Sequence, residues 1–240
     1  MTYKLLEGDA LLQIQFVKPE SIDTVFTSPE PPINHYEMQQ LIDIMLQLPR
    51  VLKQTGSIWI NMSDYHNANN ELAIIPERFL YEMVTLHEWH LINTIIWDRR
   101  ATFDAGNPAR RFRRTHEYLY WFVKDITRYY FPEHYVILPD VIRIAYERPR
   151  QDVFESGFPI ELIEQTAIFT TPINGRILDP FCGTGTTGVV ALQHRREFLG
   201  IESNTLLIPK IKERLNQWTI TETNLNTTTT TNNPNNMTIK

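Results

Sequence analysis

The chain has 240 residues, 42% of them hydrophobic, enough for one sizeable core, so a single compact domain over 1–222 is expected. One cysteine, Cys182, excludes an internal disulfide framework and a cysteine-rich zinc site, and no histidines stand at H-E-x-x-H spacing, so no metal is expected. With no apolar run of roughly 18 residues, no secretory layout at the start and a net charge of −5, the expectation is a soluble intracellular protein, not a membrane protein or a uniformly basic nucleic-acid binder.

Along the chain, the first apolar run, 24–27, reads as a buried strand that enters Thr27-Ser28-Pro29-Glu30-Pro31-Pro32. Prolines cannot donate to a ladder and disfavour helix in the residue before them, so the strand stops in a stiff turn. The Ser28 hydroxyl and the Pro29 carbonyl there are suited to accept hydrogen bonds from an amine; the plain alternative is that the turn is punctuation. Segment 36–54 carries Met38, Leu41, Ile42, Met45, Leu48 and Leu52 at helical spacing. Strand 57–61, helix 76–86 and strand 91–97 follow. The sequon at Asn61, like those at Asn226 and Asn236, carries no weight without a secretory signal.

From Asp98 to Arg114 the chain turns basic, with Arg99, Arg100, Arg110, Arg111, Arg113 and Arg114 against only Asp98 and Asp104. Gly106 and Pro108 make this a loop, and phosphate neutralisation is its evident use, a solvated surface paired with acids being the bland one. Strand 118–123 is next, then a segment 129–155 that includes Arg143, Arg148 and Arg150, then helix 159–169.

Strand 176–178 leads into Asp179-Pro180-Phe181-Cys182-Gly183-Thr184-Gly185-Thr186-Thr187-Gly188, helix 186–194 and strand 197–201, with Glu202 at its tip. The loop matches G-x-G-x-x-G, and Val189 stands where a phosphate-binding loop needs lysine. An acid about 20 residues past the loop suits a ribose hydroxyl pair. Asp179 has two readings: it faces the cationic groups of S-adenosylmethionine, where it would repel a dinucleotide pyrophosphate, or it caps the turn. Helix 206–217 closes the ordered part, and 223–240, almost all Thr and Asn, is expected to be a disordered tail. Alternating strands and helices predict an α/β fold with a doubly wound, mostly parallel, Rossmann-like sheet, whose ligands lie at the carboxyl ends of its strands.

The turn and the glycine loop together resemble the exocyclic-amino DNA methyltransferases, in which a DPF-x-G-x-G-T-T loop binds S-adenosylmethionine and an S-P-P-Y or D-P-P-Y turn holds the target amine. The turn comes first, which resembles the family's permuted β group, a circularly permuted order. The resemblance implies catalytic roles for Ser28, Pro29, Glu30 and Pro31, and cofactor contacts from Asp9, Thr27, Phe158, Pro159, Asp179, Pro180, Phe181, Gly183, Gly185, Thr186, Thr187 and Glu202. Gly8-Asp9 is similar to the family's entry motif, Trp97-Asp98-Arg99 with His116-Glu117-Tyr118 to its later strand pair, and Phe158-Pro159 to the start of its methionine-side helix. It also implies double-stranded DNA as partner, with the six arginines as its contacts, and target recognition in the insert 129–155. So small an insert implies a short site, or a second subunit forming a homodimer.

One departure stands out. Glu30 replaces the second proline and the stacking aromatic is missing, so His35 or Tyr36 supplies that face or the turn is impaired. The serine favours N4 of cytosine as the methyl acceptor, with N6 of adenine or a catalytically impaired binding protein as the alternatives. A nicotinamide dehydrogenase is disfavoured by Asp179, and cytosine C5 methylation by the lack of a thiol outside the donor loop.

Overall fold

The computed structural model describes residues 1–100, 112, 114–133, 138–145 and 158–219. Eight strands form one sheet: β1 (Tyr3–Glu7), β2 (Ile22–Thr27), β3 (Leu52–Met62), β4 (His90–Asp98), β5 (His116–Val123), β6 (Val141–Arg143), β7 (Arg176–Asp179) and β8 (Glu197–Glu202). Their order is β1-β8-β7-β2-β3-β5-β4-β6. Every neighbouring pair is parallel except the two made by β5, which runs against β3 and β4. All six strands expected from the sequence are present, within a mostly parallel sheet.

Strand alternation feeds two cores. Val25, Ile58, Ile60, Tyr120 and Phe122 face one side, where they meet helices α1 (Ala10–Gln13), α2 (His35–Met45), α3 (Leu48–Val51) and α4 (Ile75–Tyr81). Phe26, Trp59, Leu119, Trp121 and Ile177 face the other, under α5 (Ile160–Glu164), α6 (Thr186–Gln193) and α7 (Ile208–Asn216). Burial on both faces explains why these strands read as continuous apolar runs.

Two strands escape the sequence reading, and two helices are shorter than their apolar spacing suggests, the one expected over 159–169 being regular only over Ile160–Glu164. β1 is an edge strand with Lys4 and Glu7 exposed and no fully buried residue, and β6 is only three residues long; neither makes an apolar run. The helix expected over 36–54 ends at Met45, resumes over Leu48–Val51 and gives way to β3 at Leu52. Its apolar spacing continues because both helical pieces pack on one core, while Pro49 supplies no N–H for an unbroken ladder.

The helix after the glycine loop lies close on β8. A Cβ on Gly188 would come within 2.6 Å of Phe198 and 2.8 Å of Leu215, residues only 2% and 0% exposed whose side chains have nowhere to swing. Gly188→Ala gains about 1 kcal/mol of helix propensity but overpacks the contact by about 1–3 kcal/mol. A net loss on the order of 1 kcal/mol is expected, read as a Tm lower by a few degrees; an unchanged Tm would mean that Phe198 can shift.

Candidate active site

From β7 the chain winds outward through β8, and on the other side β2 winds outward to β3, so the loops after β7 and β2 diverge at the switch point of the sheet. Such a point opens a crevice. The two strand ends are tied by one carboxylate. Thr27 Oγ1 donates to Asp179 Oδ1 at 2.8 Å, Thr187 Oγ1 donates to Oδ2 at 2.7 Å, and the Phe181 N–H donates to Oδ1 at 3.1 Å. Asp179 is 1% exposed. Burial pushes its pKa up to about 6, against the pull of the three donors.

A cavity of about 620 Å³ opens beside this clamp, within the range of ligand sites. One wall comes from Gly8 and Asp9 after β1, another from Pro180, Phe181 and Gly183 after β7, and a third from Glu202, Ser203 and Asn204 after β8. Ser28, Pro29, Glu30 and Pro32 form the rim on the β2 side. The loops are held locally. Glu202 accepts from the Gly183 N–H at 2.7 Å and from the Asn204 N–H at 2.8 Å, and Gly8 N donates to the Glu202 carbonyl at 2.8 Å. Asp9 caps α1 by accepting from Leu12 N.

Charge decides what the cavity can take. Asp9, Glu30, Glu37 and Glu202 line it, and among the described lining residues there is no lysine, arginine or histidine. A pyrophosphate would be repelled there, whereas a sulfonium and an ammonium are attracted. The residues present therefore fit S-adenosylmethionine, with Asp9 and Glu202 placed to meet its polar groups and Phe181, Leu11 and Ile201 its apolar ones.

Several residues named from the sequence lie elsewhere. Both oxygens of Asp179 accept hydrogen bonds within the clamp, as a cap of the turn would, and Asp179 is not among the residues that line the cavity. Thr27 and Thr187 are the clamp's donors and also point inward. Gly185, at φ 79°, starts α6 against Ile211, and Thr186 accepts from Arg214 at 3.0 Å. Phe158 packs on Phe26 with centroids 5.5 Å apart and belongs to the opposite core face, and Pro159 stands at the N-cap position of α5. Pro31 is absent from the lining, and neither His35 nor Tyr36, both exposed, reaches the cavity to replace the missing aromatic. Cys182 is buried, and burial pushes its thiol up, which removes it as a nucleophile.

The arginines divide. Arg99 is buried and ion-paired with Glu117, so it cannot serve phosphates. Arg100 is exposed at the end of β4, and Arg114 is half-buried. Arg110, Arg111 and Arg113 lie outside the described residues. One neighbour of the site escapes the sequence reading altogether: Asn61, buried at the end of β3, donates from Nδ2 to Ser28 Oγ at 3.2 Å. A polar residue ending the apolar run I-W-I is the one signal that could have found it.

A glycine loop and an acid at adjacent parallel strand tips, beside a rigid hydroxyl-bearing turn, define a donor-binding α/β methyltransferase fold. A DNA methylase family model, of the N6/N4 methyltransferases, matches residues 34–213, and the chain belongs to that family. The type II methyltransferase M.SmaI of Serratia marcescens is 25% identical over 88% of this chain and 90% of its own length. Two solved structures share the fold. The PvuII cytosine-N4-specific DNA methyltransferase aligns with a TM-score of 0.73 at 19% identity, over 91% of this chain and 93% of its own. M1.HpyAVI, solved with its S-adenosylmethionine, aligns at 0.67 and 22% identity, over 90% and 100%. The protein is an S-adenosylmethionine-dependent DNA methyltransferase.

The clamp has a pH signature. Asp179 titrates near 6 in the fold and near 3.9 in an unfolded chain. The fold therefore binds its proton more tightly, and the carboxyl's contribution is fully present below about pH 4 and lost as pH rises through about 6. The shift corresponds to roughly 2–3 kcal/mol. Urea denaturation of the parent and of Asp179→Asn, which cannot titrate, should show the parent's relative stability falling by about that amount from pH 4 to pH 7. A flat difference would show an unshifted carboxyl.

Proposed function

We propose that the protein methylates N4 of cytosine in double-stranded DNA, with the flipped base entering the cavity from the β2 rim. The observation that carries this reading is Ser28, a neutral hydroxyl on a proline-stiffened turn at the mouth of an acid-lined donor cavity. The amino lone pair of the base is delocalised into its ring. Acceptors on its two hydrogens, the Ser28 Oγ and the Pro29 carbonyl, draw that pair out of conjugation. S-adenosylmethionine supplies an electrophilic methyl on a sulfonium, so no nucleophile of the protein is needed. Within the resemblance, serine at this position goes with cytosine N4, and Glu30, exposed at the rim, offers a carboxylate that can accept from the same amine. The chain order, turn before glycine loop, supports the permuted β group, and type II relatives support a place in restriction-modification. We read 1–222 as the catalytic domain, 129–155 as its recognition insert and 223–240 as a tail.

Incubation of the protein with methyl-labelled donor and duplex DNA, followed by nucleoside mass spectrometry, should give N4-methyl-2′-deoxycytidine. N6-methyl-2′-deoxyadenosine alone would transfer the reading to adenine, with Glu30 in the role of the family's aspartate, and no product with any duplex would mark an impaired enzyme. Ser28→Ala should lower kcat by roughly 100-fold, the typical loss for one preorganised hydrogen-bonding group.

Phosphate binding is assigned to Arg100, Arg110, Arg111, Arg113 and Arg114, Arg99 being set apart by its burial. Replacing two of them should weaken binding to all sequences alike and reduce the slope of log affinity against log salt by about 0.9 for each phosphate no longer neutralised. An unchanged slope would assign the segment to solvent.

A further inference from the structure

Side chains alternate along a strand, so Phe26, Trp59, Leu119 and Trp97 face one core from the neighbouring strands β2, β3, β5 and β4. Two residues nearer the site stand Ser28, just past β2, Asn61, Glu117 and Arg99, just past β4, on the same face. Asn61 opposes Leu119 and Trp97 opposes Glu117, so the four form a diagonal row across the strands. This row is hydrogen-bonded end to end. Arg99 Nη1 donates to Glu117 Oε1, and Asn61 Nδ2 donates both to Glu117 Oε2 at 2.5 Å and to Ser28 Oγ at 3.2 Å. Asn61, Glu117 and Arg99 are each at least nine-tenths buried.

Charge decides which way the Asn61 amide points. Turned over, its carbonyl would meet the Glu117 carboxylate with no hydrogen between two acceptors. In the observed orientation Asn61 Oδ1 has no protein partner among the described residues, a cost tolerated only because both N–H groups are directed. Arg99 fixes the far end, since its guanidinium pairs with Glu117 and lies 5.0 Å from the centroid of the Trp97 ring. A hydroxyl oxygen that accepts from an amide keeps one rotamer and cannot donate back along that line. Its second lone pair stays open to an incoming amine.

We propose that Asn61 is a positioning residue for methyl transfer: held by the Glu117–Arg99 pair, its amide locks the Ser28 hydroxyl as an acceptor for the target amine. This rests on the reading of Ser28 as that acceptor. Asn61 itself touches no reacting atom, so its removal acts on turnover through Ser28 and leaves the donor wall, on the other side of the cavity, intact.

The test compares the full-length parent with Asn61→Ala, Asn61→Asp, Ser28→Ala and the Asn61→Ala/Ser28→Ala double variant on duplex DNA that the parent methylates. Measured are kcat, KM for DNA, calorimetric affinity for S-adenosylmethionine and Tm. Asn61→Ala should lower kcat by about 10- to 100-fold, as small misplacements of a reacting group do, with KM and donor affinity within about twofold. Asn61→Asp, which cannot donate and repels Glu117, should be slower still. The double variant should be no slower than Ser28→Ala, because the two residues act as one unit. A kcat of Asn61→Ala within twofold of the parent, or losses that multiply in the double variant, would overturn the proposal. So would loss of donor binding by both Asn61 variants, which would assign the residue to folding. Parental turnover in Ser28→Ala would instead sink the acceptor reading itself, a failure that this variant alone identifies.

Discussion

The buried carboxylate of Asp179 is the constraint on which the site depends. It bonds to Thr27, the last residue of β2, and to Thr187, in the first turn of α6, across 152 and 8 positions of chain. Taking a carboxylate out of water costs several kcal/mol. Hydrogen bonds to a charged group return about 1.5–3 kcal/mol each, so three donors offset the cost only when all are in place. The clamp is thereby cooperative: the ends of β2 and β7 cannot drift apart without leaving a buried, unpaired acceptor. Glycine loop and proline turn are set at a fixed separation, which is what the proposed transfer between two bound molecules requires.

Electrostatics then divides the space around the clamp. The donor half is lined by acids, yet the most central acid is withdrawn from it, so the field there comes from Asp9 and Glu202 at the strand tips. The acceptor half presents a neutral hydroxyl, and the charges behind it, Arg99 and Glu117, cancel each other within one buried pair. Such a pair is weak evidence for stability; its value here lies in direction, because it leaves one orientation open to the next side chain.

Much of this is legible in the sequence because it lies in local patterns. Six buried strands announce themselves as apolar runs, and the glycine loop and the proline turn as breaks in them. The sign of the cavity's charge is also readable, but the sequence points to Asp179 for it, whereas Asp9, Glu30, Glu37 and Glu202 carry it. Depth is the missing information: an acid preceding a glycine loop reads the same whether its oxygens face a ligand or two threonines. Burial likewise separates Arg99 from the exposed Arg100, its neighbour in a segment that reads as uniformly basic. Asn61 is invisible for a related reason, since its partners lie 33 and 56 positions away, and only strand register brings them together.

Register also explains why chain order matters so little to the site. The turn precedes the glycine loop by some 150 positions, yet both end parallel strands that are immediate neighbours, β2 and β7. Edge strand β1, first in the chain, pairs with β8, nearly last among the elements, and so delivers Asp9 beside Glu202. Each functional group is fixed by its strand's place in the sheet and by its parity along that strand. A cut and rejoining of the chain elsewhere would preserve both, provided that no new end interrupts a strand or the Asp179 clamp. A one-residue slip of β3 against β2 would not: it would turn Asn61 to the opposite face and replace it beside Ser28 with Ile60 or Met62, apolar side chains that cannot direct a hydroxyl. The site thus tolerates rearrangement of sequence order far better than it tolerates an error of one position in pairing.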